Sequence, residues 1–337
     1  MKSILIGLAS ICFLSCTHSS HRSSDSNPRK PSSTPDPIYE IVHFTPLSIN
    51  LRAGYMLEPA QLKGCVLYLQ GLGDSIKNHR PYFTYLQENG YRVMYFDYLG
   101  QGGSEGSMKS TRIKIAEPKI KTKKEQARYA HNKNYEIPQQ ADFIWDHYKN
   151  VKNQSGQDCS KSKKILIGWS TGGLSAYRMA FEKRADAVVL IAPGIHPKPL
   201  VGSAAEHPTD MVLSKQVITE STLTRQTFAP GSNPHLDPIK PTSPFHVFEF
   251  AANLLATSIV SHGWKIDSNV PGLVFLSGHE DTYVNRDKTL ETLKKNANHF
   301  KVVTYDGALH ELDNETSDVT RDLYSETVRF FDSIINR

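Results

Sequence analysis

Gly168-Trp169-Ser170-Thr171-Gly172 sets a serine between two glycines, after the apolar run Ile165-Leu166-Ile167 and before a helical pattern that opens at Leu174. As a bare motif, G-x-S-x-G is a common coincidence. In a strand-turn-helix frame it is a nucleophile elbow, with the hydroxyl on a sharp turn beside the helix N-terminus. Backbone N–H groups there face the charge that develops in acyl transfer. A serine hydroxyl is a poor nucleophile until a base removes its proton. His310, in Gly307-Ala308-Leu309-His310-Glu311, follows the last extended run and precedes the last helical pattern. The chain has 14 histidines, so placement carries the weight. The base in turn needs an acid that fixes its tautomer. Asp281, in Ser277-Gly278-His279-Glu280-Asp281, lies just past the penultimate extended run; Glu280 is its neighbouring rival, and Asp306 lies in the loop that leads to His310. Two backbone donors are needed for an oxyanion. The N–H of Thr171 is one candidate, and that of Leu72, in Gln70-Gly71-Leu72-Gly73, is the other.

The elements that must hold these residues read as alternating strands and helices. Two extended stretches near residues 41–44 and 50–57 suit an antiparallel pair. Apolar runs at residues 65–69, 91–96, 164–167, 187–192, 273–276 and 300–305 read as buried strands. Helical patterns cover residues 81–89, 137–151 and 314–335. Alternation of this kind predicts a mostly parallel sheet, whose sites form at the carboxyl ends of the strands. The turns at Gln70, Ser170, Gly278 and Gly307 all fall there. Two stretches break the rhythm. Residues 107–133 carry nine Lys or Arg against two acids, within a chain of net charge +5. They read either as a solvated loop or as a contact for anionic lipid headgroups. Residues 194–269 read as a cap over the active edge. Within it Phe245, Val247, Phe248 and Phe250 are candidates to line an acyl groove, with plain cap packing as the alternative.

Residues 38–337 resemble α/β-hydrolases of the monoacylglycerol lipase, lysophospholipase and serine-aminopeptidase-like group. The resemblance rests on Gln70 to Ser75, Asp97 to Gly106, the Ser170 elbow, Gly278 to Asp281, and His310-Glu311. That group usually has histidine where this chain has Gln70. The resemblance implies an eight-stranded, mostly parallel sheet with helices on both faces and a cap after the sixth strand. It implies a serine hydrolase that cleaves carboxylic esters, with monoacylglycerol or lysophospholipid as the expected substrate. Ser170, His310 and Asp281 would form the triad, and no metal or organic cofactor is expected. A proline-iminopeptidase-type peptidase is the alternative, for which Glu206, Asp210 and Glu220 could hold a substrate amine. A non-catalytic member that binds a ligand or partner is a further one.

At 337 residues, with 39% hydrophobic and 9% aromatic residues, the chain is not a multispanning membrane protein. Its first 15 residues read as a signal peptide: Lys2 supplies the positive start and Ile4 to Leu14 a short apolar run. Phe13-Leu14-Ser15-Cys16 resembles a bacterial lipobox, which makes Cys16 the lipidation candidate and the protein an exported, membrane-tethered one facing the periplasm or the cell exterior. A soluble secreted form is the alternative. Residues 16–37 read as the anchor and a flexible linker. Nucleic acid is not an expected partner for an exported protein. Cys65 and Cys159 remain, near one end of neighbouring strands; in an oxidising compartment a disulfide between them is feasible, with two buried thiols as the other outcome.

Overall fold

The computed structural model describes residues 36–58, 61–198 and 247–335. The expected signal peptide, Cys16 and most of the expected linker lie outside them, as does the greater part of the expected cap, including Glu206, Asp210, Glu220 and Phe245.

The described residues form one eight-stranded sheet. Its strands are β1 (Ile38–Phe44), β2 (Ile49–Met56), β3 (Gly64–Leu69), β4 (Tyr91–Phe96), β5 (Lys164–Trp169), β6 (Ala187–Ile191), β7 (Gly272–Leu276) and β8 (Lys301–Thr304). The spatial order is β1-β2-β4-β3-β5-β6-β7-β8. β1, β2 and β4 pair antiparallel, and every pair from β4 to β8 is parallel. The expected antiparallel start and parallel remainder are both present. A parallel sheet is covered on both faces, which is why its strands read as continuous apolar runs.

Side-chain alternation divides the core in two. Leu67, Met94, Leu166 and Leu190 face one way and pack with Ile144 and Leu174. Those two come from α3 (Ile137–Tyr148) and α4 (Thr171–Phe181). Val66, Tyr68, Ile167 and Val189 face the other way and pack with Phe83 and Phe331. Their helices are α1 (Arg80–Glu88) and α7 (Ser317–Ile335). A disulfide joins Cys65 at the start of β3 to Cys159 ahead of β5, with Cα atoms 5.9 Å apart.

The basic insert is more ordered than a solvated loop. Its second half is α2 (Lys123–Lys133), a helix with no buried residue, started by a reciprocal capping box between Thr122 and Glu125. Its first half is bolted down. Ile113 is buried, and Asn253 accepts from the Ile113 N–H (2.7 Å) while donating to the Lys114 carbonyl (2.6 Å). Arg178 of α4 donates to the Ile113 carbonyl and pairs with Glu136 at 2.9 Å. Asn253 belongs to α5 (Val247–Ser261), within the segment expected to form a cap; of the four apolar candidates there, Phe250 is buried. α6 (Arg286–Asn296), which the apolar pattern does not announce, links β7 to β8. Among the described residues no helix is long and apolar enough to cross a membrane.

Candidate active site

β5 delivers Ser170 at φ +53°, ψ −113°, a conformation that costs a non-glycine residue of order 1–3 kcal/mol. Neighbours hold it there. The Ser170 N–H donates to the Ile191 carbonyl (2.9 Å), and its own carbonyl accepts from Gly194 (2.8 Å). The flanking glycines are required by close approach. A Cβ on Gly168 would collide with the Gly172 backbone, and one on Gly172 with the Leu69 carbonyl. The start of α4 therefore presses against the exit of β3, next to the turn that carries Leu72.

His310 Nε2 lies 2.8 Å from Ser170 Oγ, and His310 Nδ1 lies 3.0 Å from Asp281 Oδ2. The ring nitrogen roles follow from these neighbours: Nδ1–H donates to the carboxylate, leaving Nε2 to accept from the serine hydroxyl. Asp281 is 2% exposed. Its Oδ2 also accepts from Ser277 Oγ (2.7 Å), and its Oδ1 from the N–H groups of Tyr283 (2.7 Å) and Val284 (3.0 Å). Burial works to raise its pKa, but His310 and these donors prevail and hold it down at about 2. Neither rival acid reaches the histidine. Glu280 is exposed, and Asp306 is exposed and pairs with Arg286 at 2.6 Å.

The N–H groups of Leu72 and Thr171 donate to no described residue, which leaves both for a ligand. The turn carrying Leu72 is fixed by Gln101, whose Oε1 accepts from the Gly73 N–H (3.0 Å) and whose Nε2 donates to the Gly71 carbonyl (2.8 Å). Gln70 is fully buried; its carbonyl accepts from Tyr98 (2.7 Å), while its side-chain amide has no partner among the described residues. Asp97 organises the neighbouring loop as a buried hub. It accepts from Arg52 (2.5 Å), Ile76 N–H (2.9 Å) and Gly103 N–H (2.8 Å).

Several contributors escape sequence reasoning. Trp169 donates its indole N–H to the His310 carbonyl (2.9 Å), and the Tyr283 ring lies 4.8 Å from the His310 ring. Trp169 occupies a variable position of the elbow motif, and nothing local signals its partner. Among the described residues no group of three or more His, Cys, Asp or Glu side chains could hold a metal ion.

The family described as "Serine aminopeptidase, S33" matches residues 60–317. No curated protein matches the chain. Among solved structures, it is similar to a monoacylglycerol lipase of Paleococcus ferrophilus, at 18% identity and TM-score 0.54, over 84% of this chain and 99% of that one. It is similar to a soluble variant of monoglyceride lipase from Saccharomyces cerevisiae in complex with a substrate analog, at 16% identity and TM-score 0.59, over 91% and 98%. A thermostable carboxyl esterase from Bacillus coagulans in complex with glycerol matches at 13% identity and TM-score 0.59, over 90% and 100%. At these identities the solved structures establish the fold, and the family match over most of the chain establishes kinship: this protein belongs to the serine aminopeptidase S33 family of α/β-hydrolases and is a serine hydrolase.

Proposed function

We propose that this enzyme hydrolyses carboxylic esters of monoacyl lipids, monoacylglycerol or lysophospholipid, through an acyl-enzyme on Ser170. The observation that carries the reading is the unbroken relay from Asp281 through His310 to Ser170, beside two uncommitted backbone donors. His310 Nε2 takes the serine proton as Oγ attacks the ester carbonyl. The Leu72 and Thr171 N–H groups receive the oxyanion, and Asp281 stabilises the imidazolium. The alcohol leaves with the proton from His310. Water, deprotonated by the same nitrogen, then releases the fatty acid. Two of the similar structures, the monoacylglycerol lipase of Paleococcus ferrophilus and the monoglyceride lipase of Saccharomyces cerevisiae, support the substrate class.

The lipid surface belongs to the same proposal. Lipidated Cys16 would tether the exported enzyme, and the basic insert would meet anionic headgroups. α5 supports this from the other side of Asn253, because it turns Leu255, Ile259 and Val260 outward at 40%, 70% and 50% exposure. The tether is tested by fatty-acid labelling, which Cys16→Ser should abolish.

Activity is tested with p-nitrophenyl esters of graded acyl length, monoacylglycerol, lysophospholipid and an aminoacyl-anilide, for wild type and Ser170→Ala. The expected result is cleavage of the lipid esters that falls by about 10⁴-fold or more in the variant. Cleavage of the anilide alone would make the enzyme a peptidase, and labelling by a serine-directed probe that survives Ser170→Ala would sink the site assignment.

A further inference from the structure

Behind the relay lies a second histidine that these steps do not use. His79 ends the 3-10 turn Ile76–His79 and is 1% exposed. Its Nε2 lies 2.5 Å from Asp74 Oδ2, and its Nδ1 is hydrogen-bonded to Asp313 Oδ2. A neutral imidazole carries a single N–H, so a ring that donates to two carboxylates is an imidazolium. The other oxygen of Asp313 has no partner among the described residues, so its charge leans on this ring. Burial opposes a charged histidine, but Asp313 and Asp74 together hold its pKa well above the ordinary range. The remaining polar groups facing it do not contest the charge. The Tyr68 hydroxyl, 3.1 Å from Nδ1, stays a phenol because burial pushes its pKa far up. Glu311, pushed up to about 8 by burial and by Asp74, is a neutral acid at neutral pH. The Phe83 and Trp169 rings complete the surroundings.

The two carboxylates come from the two parts of the site that must keep register. Asp74 closes the turn that carries Leu72, and Asp313 stands one turn beyond His310. Asn314 adds a parallel tie, donating to the Asn78 carbonyl (3.1 Å) and to Glu311 Oε1 (2.7 Å). Trp169 is wedged between, its ring 5.6 Å from that of His79 and 5.5 Å from that of His310.

We propose that His79 is a positioning residue for hydrolysis: a buried imidazolium clamped between Asp74 and Asp313 that sets the Leu72 N–H against His310. The proposal rests on the site assignment above. Such a clamp matters in the transition state more than in substrate binding, since a misplacement of about 1 Å costs on the order of 10²-fold in rate.

The test uses the full-length protein, with rates expressed per probe-titrated serine so that misfolded molecules do not count. His79→Gln should lower kcat about ten- to a hundredfold and change KM less than about threefold. Asp313→Asn should act in the same direction, and the double variant should lose no more than the worse single one, because the two side chains act as one unit. In nitrogen-15-histidine spectra of the wild type, one ring should keep both N–H protons at about pH 8, where an ordinary histidine has lost one, and that signature should vanish in His79→Gln. Wild-type kcat in a folded His79→Gln, or a ring that sheds its proton below that pH, would overturn the proposal. If His79→Gln does not fold, the wild-type spectrum and Asp313→Asn decide. Hydrolysis that survives Ser170→Ala would defeat the site assignment instead, and would leave the spectroscopic result on His79 standing.

Discussion

The floor of the site buries charge, while the outward face of α5 exposes hydrocarbon. Under His310 sit Asp281, His79 and Asp313, with the neutral Glu311 beside them, all within a few per cent of full burial. On α5, Ala252, Leu255, Ala256, Ile259 and Val260 recur at helical spacing and are all exposed, whereas Thr257, Ser258 and Ser261 point inward. The inward hydroxyls have work to do: Ser258 Oγ donates to the Ile195 carbonyl, and Ser261 Oγ to that of Ser258, each at 2.6 Å. Both regions invert the usual rule of apolar inside and polar outside. They resolve the inversion differently. The buried charges find their partners within the chain, which makes them a device for geometry. No described residue covers the α5 stripe, and the lipid surface proposed above fits its chemistry.

The sharpest test of the inner region uses two of its acids, Asp281 and Glu311, whose pKa values move in opposite directions. Asp281→Asn should lower kcat by about 10⁴-fold, because the wrong tautomer of His310 then faces Ser170. Asp281 is held near 2 when folded, below its ordinary 3.8. Its stabilising contribution is therefore complete above about pH 4 and is lost as pH falls through about 2. Glu311 runs the other way. Its folded value of about 8 exceeds the ordinary 4.5, so the native state keeps a proton that the unfolded chain releases. The Glu311 share of stability should thus fall as pH climbs from about 4.5 to 8 and level off beyond, while His79, whose folded pKa is also raised, adds a further fall above about 6.5. Glu311→Gln should remove its own share of that slope and leave the His79 share, giving a gain over wild type on the order of a few kcal/mol at pH 8 and almost none at pH 4. Denaturant titrations across this range check it. A difference that does not vary with pH would mean that Glu311 is ionised in the fold.

The outer region should respond more weakly, and in a different assay. Replacing Leu255, Ile259 and Val260 together by serine should weaken binding to anionic phospholipid vesicles by roughly a hundredfold or more, since each removes hydrocarbon worth about 1 kcal/mol or more when buried. Hydrolysis of a soluble p-nitrophenyl ester should be unchanged. Unaltered vesicle binding would exclude this face as the contact and would leave the insert or the anchor to account for any adsorption.

Much of the architecture is legible in local pattern, because a parallel strand buried on both faces reads as an apolar run. β3 to β8 fall where those runs predict, with ends shifted by a residue or two. The helices α2 and α6 are not legible that way. α2 buries nothing, and its signal is the Thr122–Glu125 capping box rather than a stripe. Strand order is not local either: β4 sits between β2 and β3 through long-range pairing. The same division runs through the site. Ser170, Asp281 and His310 stand in recognisable loops, and the structure brings them together. His79 meets Asp313 across 234 positions and Trp169 meets His310 across 141, and among 14 histidines nothing singles out His79. Such partners exist only once the sheet has formed.

The Cys65–Cys159 bridge spans the insert as well as two strands. Leu72 lies on the amino-terminal side of residues 107–133, and Ser170 on the carboxy-terminal side. Among the described residues, the exposed helix Lys123–Lys133 offers a trypsin-like protease a run of basic side chains. A cut there would leave two pieces still bound by one covalent link, with the nucleophile on one piece and the oxyanion turn on the other. In an oxidising medium the bridge would thus keep a molecule nicked in this segment in one covalent piece.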